Sequence, residues 1–318
     1  MSDPASSPLH TGLLAAVSRS FYLSLLVLPR AVRGPLSLGY LLARAADTIA
    51  DVPARPAVER LALLAAFDAA VQGGECGLLS VEAAQFSRSV THAGERTLLE
   101  RLGECFAAMN ASTAEDRSLT RTVLGHIVRG QSIDLRRFPG SLTSEADLEE
   151  YTWLVAGCVG EFWTKVCLHH LPRCAMMPEE GLLRHAVRFG QALQLINILR
   201  DQPKDMAEGR CYLPEEELSA AGLVEFTWPS PDWKPWHAVR RRWLAEAREK
   251  LVSGREYVRA LKVKRLRLAA LLPLLIGEAT LDLLEAQPDD APPQAAKVPR
   301  SKVKRIMLRA MWLSVRGC

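Results

Sequence analysis

Aromatic residues are scarce in this chain: five Tyr, eight Phe and seven Trp make up 6% of its 318 residues. Hydrophobic residues still reach 48%, and Ala and Leu dominate. A large core made from good helix formers, with few of the aromatics that strands favour, points to helix. Charge of one sign is lacking as well. Forty basic residues stand against 36 acidic ones, a net of +4. That balance gives no case for a nucleic-acid partner.

Long apolar runs are missing too. The stretch 268–277 holds about ten residues, whereas a membrane-spanning helix needs roughly twenty. The start is polar up to Gly12 and carries no signal-peptide pattern. The expectation is a cytoplasmic protein, soluble or resting on the inner face of a membrane. The seven cysteines, Cys76, Cys105, Cys158, Cys167, Cys174, Cys211 and Cys318, are odd in number and contain no CxxC pair. They read as free thiols in a reducing compartment rather than disulfides or zinc ligands. Strand alternation, internal repeats and a strand–GxGxxG–helix unit are all absent from the sequence.

What is present is helical patterning along nearly the whole length. Predicted helices cover 35–51, 58–71, 95–110, 119–138, 144–170, 181–200, 237–261 and 266–285. Pro35 suits a first turn, and Ser144 followed by Asp147 reads as a capping box. Segment 222–237, with three tryptophans, reads as a loop, and Pro273 as a kink. The adjacent His169 and His170 would point about 100° apart on a helix and form no metal pair. The reading is a single all-α domain over 1–318, with a core at 17–285, then a Pro-rich loop and a basic C-terminal helix at 286–318. That tail carries Lys297, Arg300, Lys302, Lys304, Arg305, Arg309 and Arg316. It is either a solvated face or a contact for anionic lipid headgroups.

The chemistry lies in the acids. Asp47 and Asp51 are four apart, Arg44 precedes Asp47 by three, and Tyr40 precedes Arg44 by four. They form one helical stripe in an otherwise apolar segment. Acids with apolar flanks need a cation, from a side chain or a metal. Gln194, Asn197, Asp201 and Asp205 recur at spacings of three, four and four, another single face, with Arg200 and Arg210 near in sequence. Carboxylate and amide oxygens are ligands for Mg2+, and arginine suits phosphate. Two such helices could face one another across a cavity, with metal and a diphosphate between them. A carboxylate pair for acid–base hydrolysis is the competing chemistry, but it leaves the doubled pairs unexplained. Pro203, between Asp201 and Asp205, threatens to kink or end the second helix at a cost of ~3 kcal/mol.

The segments SRSFYLSLLVLP (18–29), YLLARAADTIAD (40–51), GQSIDL (130–135), YTWLVAGCVG (151–160) and QLINILRDQPKDMAEGRCYLP (194–214) resemble the squalene and phytoene synthases, in that family's order. The resemblance implies one bundle of antiparallel helices around a central apolar cavity, the isoprenoid synthase fold. It implies that Asp47, Asp51, Asp201 and Asp205, with Asn197, bind magnesium–diphosphate, supported by Gln194. Arg19, Arg44, Arg200 and Arg210 would contact diphosphates. Ser18, Ser20, Phe21, Tyr40, Tyr151, Val155, Ala156 and Gly157 would line the substrate pocket, Tyr212 would join the diphosphate-binding set, and Tyr40 and Tyr151 would act with the aspartates in catalysis.

The chain departs from the family pattern at Gln131, where Met is common, and at Cys158 and Cys211. The DTxxD form of the first motif is more like squalene synthases. The implied reaction joins two farnesyl diphosphates to presqualene diphosphate and reduces it to squalene with NADPH. Phytoene or dehydrosqualene synthesis without NADPH is the alternative, and an inactive prenyl-diphosphate-binding or assembly subunit is another. The expected assembly is a monomer or homodimer.

Overall fold

A computed structural model describes residues 12–18, 21–223 and 233–316. Their backbone is helical almost throughout, as the composition predicts, and the strands are two residues each. Contacts gather into two compact units, 1–136 with 162–174, and 137–161 with 175–318.

In the first unit, short helices α1 (Leu14–Val17) and α2 (Phe21–Leu26) precede α3 (Arg30–Asp51). The prediction placed the start of α3 at Pro35. The structure starts it at Arg30, because Val32 and Leu36 are buried and reward the extra turn. Val52 is extended and Pro53 follows, which ends the helix, since a residue before proline is pushed out of helical geometry. One side of α3 buries Leu41, Leu42, Ala45, Ala46 and Ile49. Helices α4 (Ala57–Val71), α6 (Ala93–Glu100) and α7 (Leu102–Ala111) surround that side, and α5 (Gly77–Phe86) packs on those three. Helix α5 escaped the sequence reading, and the run expected over 95–110 divides at Arg101. Phe67 of α4 packs on Phe106 of α7 with centroids 5.5 Å apart. Helix α8 (Ala114–Arg137) closes the unit's first stretch.

In the second unit, β1 (Gly140–Ser141) leads to α9 (Glu145–Thr152), whose capping box between Ser144 and Asp147 forms in full. The single long helix expected over 144–170 is instead α9, a π-helical turn at Trp153–Gly157 and α10 (Cys158–His170). The backbone of α11 (Glu179–Ala207) comes very near that turn. A side chain at Gly190 would strike the carbonyl of Ala156, so only glycine permits the approach. Helix α11 continues through Pro203, contrary to the expected break. Its buried face, including Leu195, Ile198, Leu199 and Met206, packs against α13 (Lys234–Ala260) and α14 (Lys264–Glu285) and outweighs the lost hydrogen bond.

Gly209, at φ +74°, turns the chain after α11 into β2 (Arg210–Cys211), which pairs in parallel with β1. Helix α12 (Glu215–Ala220) follows. Helix α13 begins at Lys234, within the expected loop, and buries Trp236, with Trp233 at its cap. Trp228 lies outside the described residues. Helix α14 runs through Pro273, and α15 (Arg300–Arg316) packs on α14 after the Pro-rich loop.

Candidate active site

The stripe on α3 emerges where the sequence placed it. Tyr40, Arg44 and Asp47 are half-buried and Asp51 is exposed, beside the buried apolar side of the helix. Arg44 Nη1 stands 3.9 Å from Asp47 Oδ2, a loose ion pair. Gln131 of α8 donates from Nε2 to Asp47 Oδ1 at 2.6 Å. Asp47 lies in a recess: 35% of its side chain meets solvent, yet the protein around it desolvates the carboxyl. Burial pushes that carboxyl up to about 7, helped by Asp51 and Glu95 and opposed by Arg44 and Gln131. Burial likewise raises the Tyr40 phenol, against the pull of Arg44. Tyr40 donates to the Val17 carbonyl at 3.4 Å, and the buried Ser18 hydroxyl donates to the Leu14 carbonyl. Ser18 thus caps its own helix. Arg19 and Ser20 lie outside the described residues, and so does the side chain of Phe21.

On α11 the four polar residues again share one side. Asn197 donates to Gln194 Oε1 at 3.4 Å. Arg200 grips Asp201 with two hydrogen bonds, Nε to Oδ1 at 2.8 Å and Nη2 to Oδ2 at 2.6 Å. Both oxygens of Asp201 are therefore engaged by an arginine expected to contact diphosphate. Asp205 has no such clamp. Burial and Asp201 push it up to about 6, opposed by Arg210 and Lys204. The turn at Gly209 returns Arg210 towards Asp205, and Arg210 also stands 3.8 Å from Glu208. Deeper in the same unit, the Tyr212 ring stacks on Tyr151 at 5.2 Å and meets Phe138 edge-on at 4.9 Å. Val155, Ala156 and Gly157 form the π-helical turn, a feature frequent at functional sites.

Sequence reasoning missed several supporting groups. Gln131 and Glu95 act on Asp47 from other helices. Arg240 of α13, wholly buried, donates to Gln202 at 2.9 Å and holds the residue next to Asp201. Lys250 reaches Glu149 at 2.9 Å, and Glu149 accepts from Gln191 at 3.0 Å, which ties α9, α11 and α13 together. The GQSIDL segment singled out Gln131 as unusual, but no spacing rule links it to Asp47, 84 residues away.

The donor set suits a hard cation. Among the described residues no three His, Cys, Asp or Glu side chains gather into a closed metal cage. Each stripe offers two carboxylates, one of them desolvated, and leaves the other coordination positions to water or a phosphate, as Mg2+ commonly requires.

A family model described as squalene/phytoene synthase matches residues 14–303. The chain belongs to the squalene/phytoene synthase family. Within that family it is 32% identical over 224 residues to a presqualene diphosphate synthase of Zymomonas mobilis, covering 69% of this chain and 64% of that one. It is 32% identical over 188 residues to a chloroplastic phytoene synthase of Narcissus pseudonarcissus, covering 57% and 41%. A bifunctional lycopene cyclase/phytoene synthase of Blakeslea trispora is 29% identical over 207 residues, covering 65% and 32%. The matches thus span from about a third to just under two thirds of these relatives' lengths. Among solved structures, TcSQS with the ligand E5700 superposes with a TM-score of 0.75 at 22% identity, covering 96% of this chain and 87% of that one. HpnC from Alicyclobacillus acidocaldarius, a squalene synthase, gives 0.56 at 20% identity, covering 89% and 97%. These likenesses establish the all-helical squalene synthase fold.

Proposed function

We propose that this family member joins two farnesyl diphosphates head to head, first to presqualene diphosphate and then to squalene. The observation that carries the reading is the doubled acid stripe, with one desolvated carboxylate on α3 and one on α11. Bound Mg2+ would neutralise diphosphate and make it a better leaving group. Asp47 and Asp51 of the first unit would hold such an ion, and so would Asp201, Asp205 and Asn197 of the second. Arg44, Arg200 and Arg210 would draw diphosphate oxygens by charge-assisted hydrogen bonds. In the first step the allylic C1–O bond breaks, and its electron pair leaves with diphosphate. The double bond of the second prenyl chain attacks the cation, and loss of a proton closes the cyclopropane. The aromatic group of buried Tyr151 and Tyr212 with half-buried Phe138 would offer ring faces to a cation and shelter it from water.

The described residues contain no dinucleotide-binding unit, so no residue is assigned to NADPH. A product assay decides the reductive step. Purified protein, farnesyl diphosphate and Mg2+ are incubated with and without NADPH, and products are identified by mass spectrometry. Squalene that appears only with NADPH is the expected result. Presqualene diphosphate accumulating despite NADPH would cut the proposal back to the first half-reaction. The likeness to phytoene synthases favours a second reading. Phytoene from geranylgeranyl diphosphate, with farnesyl diphosphate unused, would establish it instead. No turnover of either substrate would leave an inactive binding subunit.

A further inference from the structure

Helix α15 has two apolar faces, of which one is buried and the other largely exposed. Ile306, Ala310 and Ser314 are buried, spaced four apart, on the side that packs against α14. On the opposite side Leu308 is 64% exposed, Met311 46%, Trp312 54% and Val315 61%. The intervals of three, one and three residues put these four on a single outward stripe. Lys304 and Arg305, both exposed, precede Leu308 by four and three residues and extend the same stripe. Arg309 is exposed at its edge, and no acidic residue follows Asp290 in the sequence. Lys302, Lys304, Arg305 and Arg309 form no salt bridge within the described residues, whereas the arginines of α13 are largely paired, as in Arg248 with Glu285 and Arg255 with Glu278. A cleft of about 190 Å³ opens beside α15, lined by Leu271, Leu274, Leu275 and Leu313, with Arg259, Arg309 and the paired Arg255 and Glu278.

We infer that α15 docks this protein on the surface of an anionic lipid bilayer. The unpaired cations meet headgroup phosphates, and Leu308, Met311, Trp312 and Val315 enter the boundary between headgroups and acyl chains. Charge chooses the partner. A second copy of this chain would oppose cation to cation along the stripe, and a neutral apolar partner would leave the cations desolvated and unmatched. An amphipathic helix with a basic polar edge and a Trp/Leu face has the composition of an interfacial anchor. No helix among the described residues is long and apolar enough to cross a membrane. The mode is therefore docking on the surface, and it needs nothing from the catalytic reading.

The test is flotation of the full chain with vesicles of phosphatidylcholine alone, or of phosphatidylcholine and phosphatidylglycerol in equal parts, without substrate. Expected is co-flotation with the anionic vesicles only, weakened at high salt as the attraction is screened. The variant K304E/R305E/R309E should bind on the order of tenfold or more weakly. L308S/W312S should bind several-fold more weakly while keeping its salt dependence, since it loses insertion and retains charge. Circular dichroism melts matching the parent show that both variants fold. Absence of co-flotation would overturn the inference. So would equal binding by either folded variant. A dimer, seen by light scattering, that L308S/W312S dissociates would assign the stripe to self-association instead.

Discussion

The acid stripes on α3 and α11 share a spacing and differ in how their charges are held. On α3 the first acid, Asp47, is the desolvated one; it is braced by Gln131 and only loosely approached by Arg44, while Asp51 faces solvent. On α11 the order reverses. The first acid, Asp201, is clamped by Arg200, and the second, Asp205, carries the desolvation. Two pairs that look equivalent in sequence would thus reach a divalent cation from different resting states. The α3 pair has a carboxylate free of any tight arginine clamp. On the proposed function, the α11 pair would trade an internal ion pair for a ligand as metal and diphosphate arrive together, Arg200 moving to phosphate as Asp201 turns to metal.

The largest expected effect separates the desolvated acids from the rest. Asp47→Asn and Asp205→Asn should each lower the condensation rate by ~10²–10³-fold, as loss of one group that stabilises developing charge does. Initial rates at saturating Mg2+ measure this, and turnover near that of the parent in either variant would remove the acid from the proposed metal site. Asp201→Asn should cost as much if the clamp opens on binding, and far less if Arg200 keeps Asp201 throughout.

Smaller, and aimed at the clamp itself, is Arg200→Gln. It should reduce condensation by ~10–100-fold through lost phosphate contact. It should also tighten Mg2+ binding in the absence of substrate, because Asp201 is released. Calorimetric titration of metal distinguishes the outcomes; weaker Mg2+ binding would show that Arg200 positions Asp201 for metal instead of competing with it.

The smallest effect is on stability. A carboxyl raised in the folded state binds more protons there than in the unfolded chain. Stability without metal therefore falls as pH rises, from the ordinary carboxylate range to about 7 for Asp47 and about 6 for Asp205. Solvent access to Asp47 moderates this. Asp47→Asn should raise Tm at pH 8 by ~1–3 °C and leave it unchanged near pH 4. Asp205→Asn should act similarly with its window ending about one unit lower. Gln131→Met should go the other way, lowering Tm at pH 8, since it withdraws the hydrogen bond that favours the charged form of Asp47. Melting curves across pH without added metal check all three.

The sequence by itself determined that this chain is helical, that its acids lie on two helical stripes, and which family it belongs to. Those features are local: helix propensity, the interval of three or four residues and the order of motifs survive without knowledge of packing. Helix α11 shows the limit. Pro203, between Asp201 and Asp205, argues for a kink or an end there. Apolar burial by Leu199 and Met206 against neighbouring helices kept α11 whole and kept Asp205 on the stripe. Helix α5 escaped notice, and 144–170 hid a π-helical turn against which α11 packs closely at Gly190.

Only tertiary structure decided that Asp47 and Asp205 are desolvated, that Gln131 braces Asp47, that Arg240 fixes Gln202 beside Asp201, and that α15 keeps an apolar stripe exposed. Each depends on contacts between residues far apart in the chain. A carboxylate's charge state and a helix's exposed face are set by what surrounds them in space, and intervals along the sequence do not record that.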